Sequence, residues 1–382
     1  SFWESIMSTI KVDEIFGDLP TDAVDLPNKL KVGGVSVEQG YTASGTEPSS
    51  PSNGDYWWDT GNDKLYKYMD GGFKELGITA STAWWGARGM RVGGQSLYYD
   101  GMEYFDLSVT SGNATDFGDL TGNKQRNCAA GDAVRGITFG GLISSEKGTS
   151  DYWTFATTGN AADFGDLVYD SSYAGAVSNA VRGIFTGDQN ANYIQYVTIQ
   201  TTGDSQDFGD LTEARYFCSS TNNLTHGIFI GGYTSAYTDR MDKITMDTAG
   251  NATDIGNYTD GNSGGGIGVC SDNTTGLVMG GNKTSTTWNN EIGKLTIATA
   301  GNASDFGDLS GVNAYLGQTS NADNARAMAI GGYAQNTVIN TLEYVTITTP
   351  GNATDYGDLV GNTNTTPNGQ NRFCAGVSGN AS

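Results

Sequence analysis

The chain is poor in histidine, cysteine, proline and basic residues: one His, four Cys, six Pro, and 20 Lys+Arg against 42 Asp+Glu in 382 residues. Each shortage closes off a class of function. With His226 as the single histidine, one chain cannot assemble a multi-histidine metal centre, and Ser-His-Asp chemistry would have to run through that one residue. A net charge of −22 repels a phosphate backbone, and no local Lys/Arg cluster reverses it, so nucleic acid is not expected as a partner. Apolar runs reach only four to six residues, too short for a helical membrane span. The N-terminus SFWESIMSTIKVDEI lacks the basic and apolar regions of a secretory leader.

What is abundant is glycine, 56 residues, with 20 tyrosines and an aromatic content of 11%. This is the composition of turn-rich β structure, because glycine breaks helices while Tyr and Thr suit strands. Six copies of one phrase organise it: GNATDFGDL at 112–120, GNAADFGDL at 159–167, GDSQDFGDL at 203–211, GNATDIGNY at 250–258, GNASDFGDL at 301–309 and GNATDYGDL at 351–359. Successive copies lie 44 to 51 residues apart, the range of propeller-blade repeats.

Other features keep the same period. Short apolar runs ending in Gly-Gly precede the phrases, as in RGMRVGG at 88–94, RGITFGG at 135–141, HGIFIGG at 226–232, TGLVMGG at 275–281 and RAMAIGG at 326–332, with RGIFTGD in the second repeat. Alternating stretches such as YIQYVTI at 193–199 and LEYVTI at 342–347 follow, the period of half-covered strands. Before each apolar run comes another short segment, as in RNCAA at 126–130 and RYFCSS at 215–220. Four short strands per repeat are the content of one blade.

Four hydrophobic residues before Gly-Gly in repeats near fifty residues resemble the kelch family over residues 86–382. The resemblance implies a β-propeller, although the Tyr and Trp usual after the glycines are irregular here and the phrase is additional. We expect an all-β, six-bladed kelch-like propeller, closed when the terminal RFCAG at 372–376 lies beside RGMRVGG. Two alternatives stay open: ITASTAWW at 78–85 fills that place, or the tail begins a seventh blade.

Residues 1–85 lie outside the repeat. They contain STIKVDEI, a turn-rich linker TASGTEPSSPSNGD, and YWWDTGNDKLYKYMDGGFKEL at 56–76, which reads as a small β-meander with turns at Thr60–Asp63 and Asp70–Gly72. STIKVDEI resembles the opening of tail-fibre and other virion proteins of marine tailed phages. P-x-x-G-x-x-W-x-D at 51–59, LYKY at 65–68 and Gly71-Gly72-Phe73 resemble a small module of phage tail proteins. The resemblance implies a non-enzymatic virion structural protein, made in the host cytoplasm and present in several symmetric copies. Its expected partners are other virion proteins and a host surface glycan, without membrane insertion.

The alternatives are a carbohydrate-recognition module and a propeller hydrolase or lyase. For attachment or assembly the candidates are Trp57, Trp58, Tyr66, Tyr68, Trp84 and Trp85, since exposed aromatic residues favour interfaces or sugar stacking. Packing within the module is the competing explanation.

No catalytic, cofactor or metal residue is assigned. Asp-Phe-Gly lacks the Gly-rich loop, strand lysine and catalytic loop that accompany it in kinases. A calcium role for the paired acids, such as Asp116 and Asp119, is weakened by GNATDIGNY, where Asn257 replaces the second acid. The kelch-fold galactose oxidase uses two histidines at its copper, which this chain cannot supply. The phrase creates N-x-Ser/Thr sequons at Asn113, Asn251, Asn302 and Asn352, explained by the repeat itself. GGGIG at 264–268 has no βαβ surroundings. Cys128, Cys218, Cys270 and Cys374 fall in the short segment before the glycine run, each in a different repeat, and are expected to be buried thiols, too far apart for disulfides. The recurring Arg88, Arg135, Arg182 and Arg326, whose place His226 takes in another repeat, are expected to bond from blade to blade.

Overall fold

A computed structural model describes residues 31–32, 35–36, 41–59, 64–69, 71–76, 86–94, 100–142, 147–187, 191–258, 268–284, 287–299, 301–321, 325–334, 337–359 and 374–379. Among these residues every regular element is a strand. The chain divides into two compact units, Ser1–Ala83 and Trp84–Ser382.

In the first unit, Tyr56–Asp59, Lys64–Met69 and Gly72–Leu76 form an antiparallel meander, and Gly71 at φ +76° makes the second turn. Tyr41–Ser44 adds to the meander in parallel. Residues 42–44, expected to be linker, are therefore strand. They cover the open edge of Tyr56–Asp59, and Trp57 Nε1 donates to the Ser44 carbonyl at 3.0 Å.

The second unit contains six four-stranded antiparallel sheets, an arrangement consistent with a β-propeller. Sheet 1 consists of Arg88–Val92, Gly101–Asp106 and Thr115–Asp119, with the C-terminal Ala375–Gly379 as its first strand. Sheet 2 runs Cys128–Gly131, Arg135–Phe139, Lys147–Thr154, Ala162–Ser171. Sheet 3 runs Gly175–Ser178, Arg182–Thr186, Tyr193–Thr198, Gln206–Asp210, and sheet 4 Ser219–Asn222, His226–Ile230, Arg240–Thr245, Thr253–Asn257. Sheet 5 comprises Gly268–Ser271, Thr275–Met279, Glu291–Thr296 and Ser304–Asp308; sheet 6 comprises Gly317–Asn321, Arg326–Ala334, Thr337–Thr346 and Thr354–Asp358.

The first strands neighbour one another in sheet order, and that of sheet 6 neighbours that of sheet 1. The apolar cores lie between consecutive sheets. Phe139 of sheet 2 stacks on Phe185 of sheet 3 with centroids 4.3 Å apart. Met328 and Ile330 of sheet 6 cluster with Phe105 of sheet 1. Burial of this kind, at about 25 cal/mol per Å² of apolar surface, makes each sheet depend on two neighbours.

The repeated phrase forms the outermost strand. In every sheet the pairing of third and fourth strands slips by one residue at the phrase aromatic, or at Ile255 in the divergent copy: Met102 pairs Gly118 and Glu103 pairs Asp116, so Phe117 is bulged. A bulge re-aims its side chain and twists an edge away from foreign strands. It turns Phe117, Phe164, Phe208, Phe306 and Tyr356 into the core, each at most 3% exposed.

Candidate functional site

Adjacent outer strands are joined by the phrase. Gly159 N–H donates to the Phe117 carbonyl at 2.8 Å and Ala161 N–H to the Asp119 carbonyl at 2.8 Å, while Asn160 Oδ1 accepts from Asp119 N–H at 3.1 Å. The same side-chain bond links Asp204 with Asp166, Asn251 with Asp210, Asn352 with Asp308 and Asn113 with Asp358. The first phrase thus clasps the last. The close approach demands glycine: a Cβ on Gly118, at φ +144°, would stand 2.4 Å from the Gly159 carbonyl oxygen.

The clasp falls to the phrase asparagine, or to Asp204 in the third copy, and the six aspartates from Asp116 to Asp355 are exposed. In the divergent copy the clasp is incomplete. Ala303 N–H still donates to the Tyr258 carbonyl at 3.0 Å, but among the described residues no bond joins Asn302 to Asn257 N–H, and Asp254 accepts from Gly256 N–H within its own strand.

The recurring arginines form a second seam. Arg135 lies 4.5 Å from the Tyr152 ring centroid and donates to the Ile199 carbonyl of the next sheet at 3.0 Å. Arg182 does the same over Tyr196 to Met246, Arg88 over Tyr104 to Phe155, and Arg326 over Tyr344 to Leu107. Their expected cross-sheet bonding is what the geometry shows.

Where His226 and Thr275 replace arginine, the diagonal third-strand position, two residues from the register partner, is lysine, Lys243 or Lys294, instead of tyrosine. A guanidinium has a π-face to rest on in four sheets and would meet an ammonium in the other two. Burial, aided by Lys243, lowers the His226 pKa, and its Nδ1 lies 2.8 Å from Thr225 Oγ1. It is a displaced seam residue.

The first strands of all six sheets line one central cavity, with an empty volume of about 990 Å³ including open solvent at its mouth. One end is polar. Ser271 Oγ donates to the Asn222 carbonyl at 2.7 Å, Asn222 Nδ2 to the Ser178 carbonyl at 2.6 Å, and Ser378 Oγ to the Ser320 carbonyl at 2.6 Å. These bonds stitch strands too splayed for ladder pairing, and the belt residues are buried. The four thiols are buried and form no disulfide. Burial raises the pKa of each, to about 12 at Cys270, which keeps the thiols protonated and unreactive.

The other end is aromatic. Two residues ahead of the first strands stand Arg126, Tyr173, Phe217 and Tyr315, all at positive φ of 55–63°. The Arg126 guanidinium lies 4.3 Å from the Tyr173 centroid, Tyr173 is 4.1 Å from Phe217, and Phe217 is 5.8 Å from Tyr315. Asn282 Nδ2 donates to the hydroxyls of Tyr315 at 2.6 Å and Tyr237 at 3.0 Å, and burial pushes the Tyr315 phenol well above its ordinary value. Arg126 is the single ionic charge among the described lining residues.

Sequence reasoning missed this mouth, though its signal was present. Arg126, Tyr173, Phe217, Tyr315 and Phe373 share one repeat phase.

Three of the residues nominated from sequence, Trp57, Tyr66 and Tyr68, pack against one another or against Phe73. Trp57 is buried, stacked on Tyr66 at 4.9 Å and edge-on to Phe73 at 5.3 Å. Tyr68 packs edge-on to Phe73 at 5.1 Å. Trp57, Tyr66 and Tyr68 thus build the small module's own core. Trp58 lies on the strand beside Trp57, and Trp84 and Trp85 fall outside the described residues. Among the described residues no three His, Cys, Asp or Glu side chains converge as a metal site would require.

No protein family and no curated protein matches the chain. Among solved structures, that of YjhT aligns with 72% of this chain and 99% of its own at a TM-score of 0.56 and 11% identity. At that identity the likeness concerns the fold alone.

Proposed function

We propose that the chain is a virion structural protein of a tailed bacteriophage, in which residues 86–382 form a six-bladed kelch-like propeller serving as a rigid platform for assembly or host contact. Residues 1–85 attach it to the particle, through the meander and through STIKVDEI added as a strand to a partner's sheet. The observation that carries the platform is the seam chemistry, which runs from each sheet to the next and returns from Asp358 to Asn113. A ring braced at outer strands, arginines and inner belt holds its loops in fixed relation, as a mount for symmetric copies requires.

The phage assignment is supported by the motif resemblances at STIKVDEI, 51–73 and the repeats. A non-enzymatic role is favoured by the cavity lining, whose described residues pair no acid with a base. Peptide mass spectrometry of gradient-purified particles tests the reading. The chain should be present at a fixed copy number per particle, and its absence from particles would overturn the proposal.

A further inference from the structure

Arg126, Tyr173, Phe217 and Tyr315 hold backbone conformations that non-glycine residues rarely adopt. Glycine would satisfy the same geometry without strain, and Gly266 stands in that repeat position in the fifth repeat. In the other four the strain is accepted, and the side chains it places form a continuous arc at the mouth of the cavity. Packing alone does not require them there. Phe217 and Tyr315 remain half-exposed, whereas the phrase aromatics that hold the sheets together are buried.

Behind the arc the lining mixes apolar side chains such as Val177 and Val269 with uncharged polar ones. Gln318 is half-exposed to the cavity, and Thr319, 6% exposed, keeps a buried Oγ1 without a hydrogen-bond partner. A buried hydroxyl left so is an unusual cost that a ligand hydroxyl can relieve. In small-molecule sites apolar walls supply area and a few polar groups supply orientation.

We infer that this mouth binds the terminal sugar of an uncharged glycan. Tyrosine and phenylalanine faces match the C–H faces of a pyranose, and hydroxyl and amide groups match its OH groups. The charge pattern selects against acidic sugars. Arg126 is the only cation among the described lining residues, it is already placed over Tyr173, and the chain as a whole carries −22. This inference rests on the host-contact part of the proposed function and assigns its site.

Saturation-transfer NMR on the full chain tests it, with the methyl glycosides of glucose, galactose, mannose and N-acetylglucosamine as probes and methyl glucuronoside as the charged comparison. At least one neutral glycoside should show transfer. Tyr315→Ala and Phe217→Ala should weaken its affinity roughly tenfold, as expected for loss of a stacking face. Gln318→Ala, which leaves the arc intact, should also weaken it, whereas Tyr193→Ala on the third strand of sheet 3 should not. Absence of transfer from every neutral glycoside, transfer undiminished by all three mouth variants, or preference for the glucuronoside would each overturn the inference. A chain found in particles but silent toward neutral glycosides loses the site and keeps the platform. One that binds through the mouth but is absent from particles loses the platform and keeps the site.

Discussion

Asn113 Oδ1 accepts a hydrogen bond from Asp358 N–H at 3.1 Å, across 245 residues of chain. The bond has the geometry of the Asn160–Asp119 clasp between consecutive repeats, so the outer strands treat the last and first repeats as neighbours. It also shows what the phrase is for: each copy supplies an outer strand and fastens the preceding one.

Clasps should matter in proportion to whether they are made. Asn113→Ala and Asn352→Ala remove a made bond and should each cost about 1 kcal/mol. Asn302→Ala, at the incomplete clasp, should cost close to nothing by comparison. Urea unfolding monitored by fluorescence distinguishes the two outcomes.

The phrase glycine is the stricter requirement. Gly357→Ala brings a Cβ to 2.4 Å from the Gly112 carbonyl oxygen at φ +152° and should destabilise by about 2–3 kcal/mol. At Gly256, also at positive φ, the nearest contact would be Asn302 Oδ1 at 3.7 Å, so Gly256→Ala should be milder by about 1 kcal/mol. Equal losses at both sites would show that backbone strain, rather than contact across the seam, sets the cost.

His226 and Lys243 are diagonal neighbours on adjacent strands where other sheets set arginine diagonal to tyrosine. His226→Arg alone should stabilise little, because its guanidinium meets Lys243. Joined with Lys243→Tyr it should regain a cation–π contact and bond toward the Ile297 carbonyl, giving a favourable coupling of about 1 kcal/mol in a double-mutant cycle. Strict additivity would refute the pairing rule.

Much of this architecture was legible because it repeats. Periodic spacing located the strands, and the arginine column announced its structural role by its phase. The clasp was not legible, since Asn113 meets Asp358 only once the last sheet lies beside the first. The mouth was obscured for another reason: Arg126, Tyr173, Phe217 and Tyr315 differ in chemistry, and what unites them is a backbone angle. Alternation says that one of the two tryptophans faces inward without saying that Trp57 is the one packed against Tyr66.

Asp132 makes part of the stability pH-dependent. Burial pushes its carboxyl above the ordinary 3.8, although Gln200 and the N–H groups of Arg135 and Val134 pull it down. A carboxyl raised in the fold favours folding fully below its unfolded pKa and loses that contribution as pH rises through the folded value. Asn179 and Asn223 accept the same backbone bonds in sister repeats. Asp132→Asn should therefore be more stable than the parent near neutrality, with the difference shrinking toward about pH 4. Thermal melts across that range would show it, and a variant less stable at neutral pH would contradict it.

The proposed closure of the propeller is tested most directly by a cross-link between the first and last phrases. In the Asn113→Cys/Asp358→Cys variant, mild oxidation should give an intramolecular disulfide joining the first and last phrases in monomeric, folded protein, seen as a mobility shift on a non-reducing gel and a linked peptide in mass spectrometry. The four native thiols should stay unmodified, since all are buried. Failure to cross-link, or linkage only between separate chains, would contradict a ring closed within one molecule.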